Sequence, residues 1–172
     1  EGNFTALWVD AHVDTGAYLS RRSKGLVNNM GGVAGQYKTQ NIAAQISFFF
    51  TNTMQTSPYR GFGRPEATYV IERLIDQAAR ETGRDPLALR QKNLIPPEAM
   101  PYQTALTFNY DSGDFPKIVA SAAKNADYAS FTRRRKMSEV RGLLRGIGIA
   151  NPIEVAGGPL KQLRKDVARI TT

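Results

Sequence analysis

The sequence predicts an α+β fold in which a mixed sheet packs with three to four helices. Two kinds of pattern support this prediction. Segments 4–10 and 42–51 are short and rich in aromatic and branched residues, which is typical of β-strands. Several segments between residues 65 and 142 instead carry apolar residues at helical spacing. Strands followed by a group of helices and then by further strands favour a layered α+β arrangement.

The strongest helix signal begins at Pro65 and ends before Gly83. Its apolar residues fall three or four positions apart and form one stripe: Ala67, Val70, Ile71, Leu74, Ile75, Ala78 and Ala79. Proline suits the first turn of a helix, and glycine suits the position just after its end. Asp85 followed by Pro86 then predicts the cap and start of a shorter helix, which runs to about Asn93.

Three segments follow the second helix. Residues 96–113 are predicted to form a loop on the surface. A third helix is expected to begin near Asp114, and a basic helix to cover about residues 130–142. These assignments rest on apolar spacing and on the turn residues between the segments.

The last part of the chain predicts two strands. Residues 143–155 and 165–171 are expected to be strands joined by a turn at Gly157-Gly158-Pro159. The final strand has no obvious partner within the sequence. We therefore expect residues 1–172 to form one incomplete domain, whose final strands at 143–172 lead into a continuation.

The composition excludes several kinds of metal site. The chain has no cysteine and a single histidine, His12. These residues therefore form no disulfide, no thiolate zinc site, no cysteine-held iron–sulfur cluster and no histidine-rich metal site. The longest apolar run, 46–50, is far shorter than the roughly 20 residues of a membrane helix. No secretory signal is visible, so we expect a cytoplasmic protein.

The net charge of +8 is unevenly placed. Residues 1–116 carry 11 basic and 11 acidic residues, whereas residues 117–172 carry 12 basic and 4 acidic ones. The densest basic run is Arg133 to Lys136. A solvated helix face is the preferred interpretation, because no aromatic residues are interleaved with this run. The alternative is a basic nucleic-acid-binding or partner-binding surface on residues 117–169.

Two further positions receive structural interpretations. His12 lies close to Asp10 and Asp14 in sequence, and it is interpreted as a surface histidine; the two aspartates alone are a weak signal for a metal pair. Trp8 is expected in the core.

The segment with the clearest chemical potential is Tyr59-Arg-Gly-Phe-Gly-Arg64, just before the strongest helix. A helix start offers free N–H groups and a partial positive charge, which favour anions. Gly61 and Gly63 would let backbone come close to a ligand, while Arg60 adds a forked cation and Phe62 a ring face. A plain loop-to-helix junction remains open and is favoured by spacing alone; an RNA-contacting arginine–glycine motif is the weaker alternative.

A long combination of motifs surrounds this loop: Thr51-Asn52, Asp85-Pro86 and Arg90 with Asn93, together with Asp14 to Tyr18, Gly35 to Tyr37 and Gly146 to Pro159. Each motif is weak alone. Together they cover nearly the whole chain and resemble the xanthine oxidase/aldehyde oxidase family of molybdenum hydroxylases. The sequence is similar to an internal fragment of that family's molybdopterin-binding large subunit.

The resemblance implies roles for the loop. Arg60 matches the arginine beside the molybdenum centre, and Phe62 matches the phenylalanine that borders the substrate ring. Arg60, Gly61 and Gly63 are thereby implied in cofactor binding, with no direct metal ligand. Carbon monoxide dehydrogenase members carry a copper-binding cysteine at the position of Gly61, so the resemblance implies ordinary hydroxylation with water-derived oxygen.

The resemblance also implies what lies elsewhere. Iron–sulfur clusters and FAD are expected on other domains or subunits, and the family's Gly-Glu motif that supplies a catalytic base is absent here. The isolated fragment is therefore expected to be inactive. Glu66 and Glu72 are interpreted as a helix-start charge and a surface residue. Asn28 stands where purine-oxidising members carry an arginine, which favours an aldehyde or an aromatic heterocycle as substrate.

Overall fold

The computed structural model describes residues 1–19 and 29–154. Within these ranges it contains four α-helices and four strands, which confirms the α+β class. The helices are α1 (Arg64–Glu81), α2 (Pro86–Asn93), α3 (Phe115–Asn125) and α4 (Phe131–Glu139). The strands are β1 (Ala6–Asp14), β2 (Asn41–Phe49), β3 (Tyr102–Gln103) and β4 (Asn109–Tyr110). β1 and β2 pair in parallel, whereas β3 and β4 pair antiparallel in a separate small sheet.

The helix α1 lies at the centre of the described core. One side of its predicted apolar stripe is buried, and consists of Ala67, Ile71, Ile75 and Ala79. Val70 and Leu74 are 38% and 46% exposed and border a groove beside β1. Gly83 follows the helix with φ at 65°, a conformation that glycine adopts at low cost. The predicted end of the helix is therefore confirmed.

The start of α2 also follows the sequence prediction. The Asp85 carboxylate accepts a hydrogen bond from the Ala88 amide at 2.8 Å, and Pro86 is the first helical residue. This arrangement satisfies a backbone donor that the helix itself leaves free. α3 begins in the same way, because the Asp114 carboxylate accepts from the Lys117 amide at 3.0 Å.

The strand β1 presents one face to the core and one to solvent. Val9 is buried and lies opposite Ala44 in the parallel register with β2. The alternate positions point away from the core, and Trp8 is 66% exposed. The expectation that Trp8 lies in the core is therefore wrong: its size favoured burial, but the two-residue period of the strand places it on the same face as Asp10 and His12.

Residues 96–113 do not simply form a surface loop. They include a short 3-10 helix (Pro97–Ala99) and the β3–β4 hairpin. Phe108 and Tyr110 are buried, and the Tyr110 hydroxyl donates to the Gly35 carbonyl at 2.7 Å. The surface prediction failed because each strand is only two residues long, which is too short to show a period. The burial of Phe108 and Tyr110 instead depends on contacts with distant parts of the chain such as Gly35.

The strand predicted at 143–155 is also absent, because residues 143–154 contain no strand. Burial nevertheless alternates from Ile149 to Glu154, and side chains hold this segment in place. The Gln36 amide donates to the Pro152 carbonyl at 3.0 Å, and the Asn151 amide donates to the Tyr37 hydroxyl at 3.1 Å. Alternating residues alone do not make a strand, because a strand also needs a neighbouring strand with which to form hydrogen bonds. The strand at 165–171 and its turn lie outside the described residues.

Candidate functional site

The candidate loop, residues 59–63, forms a tight turn directly before α1. The Phe62 amide donates to the Tyr59 carbonyl at 2.9 Å, and the Arg64 amide to the Gly61 carbonyl at 3.1 Å. Gly61, Phe62 and Gly63 all have positive φ angles, of 98°, 49° and 94°. Glycine adopts such angles readily, whereas a phenylalanine there costs roughly 1–2 kcal/mol. The surroundings must therefore hold Phe62 in this conformation.

The glycine at position 61 has a structural reason of its own. A Cβ atom at Gly61 would lie 2.7 Å from the Pro65 Cδ atom, which is too close for any side chain. The turn and the proline together demand glycine here. Close approach to a ligand therefore remains a prediction for Gly61, because the geometry already explains why the residue is small.

Arg60 lies exposed on this loop. Its guanidinium makes no hydrogen bond or ion pair with any residue in 1–19 or 29–154. Arg64, four residues later, lies 2.8 Å from a Glu154 carboxylate oxygen, and its side chain is only 21% exposed. The sequence Arg-Gly-Phe-Gly-Arg thus contains one arginine held by the described fold and one that is available to a ligand.

A cleft of about 350 Å³ lies beside the loop. The loop contributes Phe62 and Gly63, and the end of β1 contributes His12 and Asp14. Gly61 instead lines a second cleft of about 440 Å³, between α1 and residues 149–154. The structure therefore brings two of the four predicted site residues to the cleft, while Gly61 lies in the second one and Arg60 lines neither.

Asn29 is a site residue that the sequence reasoning missed. Its buried side-chain amide donates a hydrogen bond to the Phe62 carbonyl, across 33 positions of sequence. This contact holds the residue whose backbone is strained. Sequence spacing gave no signal for so distant a pairing. Asn28, which was compared with the family's arginine, lies outside the described residues.

Asp14 is the second residue that gains a role. Its carboxylate accepts hydrogen bonds from the Gly16 amide at 2.7 Å, the Thr51 hydroxyl at 2.5 Å and the Thr53 hydroxyl at 3.1 Å. The hydrogen bonds from Thr51 and Gly16 stabilise the charged form and lower the pKa of Asp14 below its usual value. The Asp14 carboxylate therefore accepts its hydrogen bonds from donors within this chain.

The neighbouring residues do not form a metal site. Among the described residues, no group of three or more histidine, cysteine or acidic side chains could hold a metal ion. His12 is exposed, with one ring nitrogen 3.6 Å from an Asp10 oxygen. The interpretation of His12 as a surface residue is confirmed.

Glu72 is buried, so its interpretation as a surface residue is wrong. Its two carboxylate oxygens accept from the Arg90 Nε atom at 2.8 Å and the Tyr37 hydroxyl at 2.7 Å. Arg90 is fully buried and also donates to Asp76 at 2.8 Å and to the Ile149 carbonyl at 3.2 Å. A glutamate usually lies on the surface, but here a buried arginine from the next helix supplies the compensating charge.

The electrostatics of this network keep its members in defined states. Burial raises the pKa of the Tyr37 hydroxyl, and the Glu72 carboxylate raises it further. Burial alone would lower the pKa of Arg90, but its hydrogen bonds to Glu72 and Asp76 outweigh that effect and raise it. Tyr37 therefore stays neutral and Arg90 stays charged.

The basic run lies on α4, and two of its four side chains have partners within the chain. Arg134 donates to the Ala126 and Asp127 carbonyls, and Arg135 lies 3.3 Å from Glu139. Arg133 and Lys136 are exposed, which fits the solvated helix face. The rest of the alternative surface, residues 155–169, lies outside the described part. Of the helices described, none is long and apolar enough to cross a membrane.

Comparison with known proteins identifies relatives along most of the chain. Over 164 residues it is 29% identical to subunit gamma of the 6-hydroxypseudooxynicotine dehydrogenase complex of Paenarthrobacter nicotinovorans, which covers 91% of the chain and 20% of the relative. It is 31% identical to the carbon monoxide dehydrogenase large chain of Afipia carboxidovorans, over 94% of the chain and 21% of the relative. The chain thus spans about a fifth of the length of these relatives.

The fold has solved counterparts. Quinoline 2-oxidoreductase from Pseudomonas putida 86 superposes with a TM-score of 0.71 at 26% identity, covering 82% of this chain and 18% of that one. Residues 1–94 match the family described as the molybdopterin cofactor-binding domain. This match and the relatives together show that the chain belongs to the molybdopterin cofactor-binding domain of the xanthine oxidase-type molybdenum enzymes.

Proposed function

We propose that this chain contributes the loop of residues 59–63 to the molybdenum and substrate site of a hydroxylase that oxidises an aldehyde or an aromatic heterocycle. The observation that carries the proposal is the exposed guanidinium of Arg60, which no described residue neutralises, directly before an 18-residue helix. A cation placed at the positive end of a helix favours an anionic ligand. The cofactor-binding family supplies the identity of that ligand.

The residues of the loop fit the anionic groups of molybdopterin. The amides of Gly61 and Gly63 donate to no other described residue, and the two glycines line the two clefts next to the loop. These three residues would hold the cofactor, which supplies the redox-active molybdenum when bound. Arg60 would stabilise negative charge that develops during the reaction, because a positioned cation acts strongly where water is excluded.

Phe62 would border the substrate. Its side chain is half-buried and lines the cleft of about 350 Å³. A ring fixed by a tight turn offers a flat apolar wall to a planar substrate. The relative named as a quinoline 2-oxidoreductase supports an aromatic heterocycle, and the aldehyde oxidoreductase of Megalodesulfovibrio gigas supports an aldehyde. Asn28, in place of an arginine, favours these substrates over purines.

The rest of the enzyme would be supplied by other parts. We propose that electrons leave through iron–sulfur clusters and FAD held by other domains or subunits, and that this chain alone is inactive. The relatives that are subunits of larger complexes support such partners. The absence of cysteine from the sequence agrees with clusters bound elsewhere.

The test is Arg60→Ala in the complete molybdenum subunit. The matched control is Arg80→Ala, an exposed arginine near the end of α1. We expect kcat for a panel of aldehydes and aromatic heterocycles to fall about 100-fold or more with Arg60→Ala. Arg80→Ala should leave kcat unchanged. Thermal unfolding of both variants should match that of the parent protein. Unchanged turnover in Arg60→Ala at equal molybdenum content would overturn the assignment.

A further inference from the structure

We infer that Asp14 and Asn29 are positioning residues, which hold the two ends of segment 51–63 so that Arg60 points to the cofactor. The inference rests on the proposed function of Arg60. It adds two residues that act through the loop and do not contact the reacting atoms. The sequence patterns of the loop itself contain neither residue.

The first end of the segment is bound to the turn after β1. Three hydrogen bonds reach the Asp14 carboxylate. In addition, the Thr56 hydroxyl donates a hydrogen bond to the Asp14 backbone carbonyl at 2.9 Å. Backbone bonds join the same two stretches: the Thr51 amide donates to the Gly16 carbonyl at 3.1 Å, and the Ala17 amide to the Thr53 carbonyl at 3.1 Å. Asp14 thus sits at the centre of the contact between residues 14–17 and 51–56.

The fit between these two stretches is close. A Cβ atom at Gly16 would lie 2.3 Å from the Met54 carbonyl oxygen, and Gly16 has a φ of 72°. No other residue could occupy this position without moving the segment. The path of residues 51–56 is therefore set by contact with the turn that carries Asp14.

The other end is held by Asn29. Its amide reaches the carbonyl of Phe62, the residue with the strained backbone. Asn29 itself is buried, so water competes little for this hydrogen bond. This contact fixes the loop two residues after Arg60.

Between these two ends the loop has few contacts of its own. From Ser57 to Gly61, the only hydrogen bonds within the described residues are the two turn bonds that the Tyr59 and Gly61 carbonyls accept. The direction of Arg60 therefore depends on where the ends are anchored. A displacement of about 1 Å at a reacting centre costs as much as 100-fold in rate.

The first test is a double-mutant cycle on kcat in the complete molybdenum subunit. Asp14→Ala is expected to lower kcat about 10- to 100-fold with little change in KM, a smaller loss than that expected of Arg60→Ala. In the Arg60→Ala background, Asp14→Ala should cause no further loss, because the arginine that it positions is already gone. Asp14→Asn should lose less than Asp14→Ala, since its amide oxygen still accepts from Gly16 and Thr51. Asn29→Ala should behave like Asp14→Ala.

The matched control is Asp10→Ala, on the same face of β1 four positions earlier. It should change kcat in neither background. Losses that multiply in the Asp14→Ala, Arg60→Ala double variant would overturn the inference, because they would show that Asp14 acts independently of Arg60. If Arg60→Ala alone leaves kcat intact, the proposed function fails, which is a separate outcome.

A second readout needs no cofactor. Arg60 is an exposed tryptic site, so the rate of cleavage after Arg60 reports how firmly the loop is held. In the complete molybdenum subunit prepared without cofactor, Asn29→Ala should raise this rate severalfold relative to cleavage after Arg80, and Asp14→Asn should raise it by a smaller factor, whereas Asp10→Ala should leave it unchanged. Equal ratios in all variants would overturn the inference even if Asp14→Ala fails to fold.

Discussion

Two polar regions depend on the same helix and differ in how their charges are used. The buried network under α1 places the Arg90 guanidinium against Glu72, Asp76 and backbone carbonyls. The loop at the start of α1 leaves the Arg60 guanidinium with no partner among the described residues. An arginine that stabilises the fold has its donors occupied inside the chain, whereas Arg60, which we propose serves a ligand, has donors that no described residue occupies.

The difference was invisible in the sequence motifs. Arg60 and Arg90 both belong to the pattern that resembles the molybdenum hydroxylases, Arg60 in the loop before α1 and Arg90 within α2. Only the structure distinguishes them: Arg90 is buried and stabilises the fold, whereas Arg60 is exposed and is the candidate for ligand binding. Three experiments would test how far this separation holds.

The largest expected effect is on stability. Arg90→Met should lower the free energy of unfolding by about 3–5 kcal/mol, because it leaves the buried Glu72 carboxylate without its counter-charge. Arg60→Met should change it by less than about 0.5 kcal/mol. Urea unfolding followed by circular dichroism measures both.

A second substitution that removes the unpaired charge at position 72 provides the control for that experiment. Adding Glu72→Gln to Arg90→Met should recover part of the loss, because the amide oxygen still accepts from Tyr37 and the buried position 72 no longer carries an unpaired charge; Asp76 also loses its partner but is partly exposed. If Arg60→Met proved as destabilising as Arg90→Met, the two arginines would not differ in the way described.

A smaller effect is expected from the titration of Asp14. Its lowered pKa means that the folded state favours the carboxylate, so the stabilisation is present above the usual pKa of 3.8 and is lost as the pH falls through the lowered folded value. The difference in unfolding free energy between the parent protein and Asp14→Asn should therefore shrink as the pH falls below 3.8. Urea unfolding at several pH values checks this. A difference that is constant from neutral pH to the acid limit would contradict it.

The smallest effect concerns the exposed part of the basic run on α4. Arg133→Ala and Lys136→Ala should change the unfolding free energy by less than about 0.5 kcal/mol and leave kcat unchanged, as expected of a solvated face. A titration with single- and double-stranded DNA at several salt concentrations tests the alternative. Binding that weakens steeply with salt and is reduced in these variants would support a nucleic-acid surface instead.

The elements with local signals were predicted well, whereas the contacts that surround the candidate site were not predicted. Local signals predicted the first two helices and the α+β class. These signals are the helical spacing of apolar residues, the prolines at the helix starts, Gly83 after α1 and Asp85 as the cap of α2. The position of the loop before α1 followed from the same signals. Asn29 could not be predicted, because it lies 33 residues from Phe62 and nothing in its neighbourhood marks it. Glu72 was misplaced because its burial depends on an arginine 18 residues later.

The sequence by itself determined where α1 begins, that the glycines and Arg60 precede it, and which family the motifs resemble, because all three are properties of neighbouring residues. The tertiary structure decided which arginine is saturated and which is available, which face of β1 turns inward, and which residues anchor segment 51–63. Those outcomes depend on side chains that are distant in sequence and meet only when the chain is folded, where burial makes an unpaired charge costly and a paired one stable.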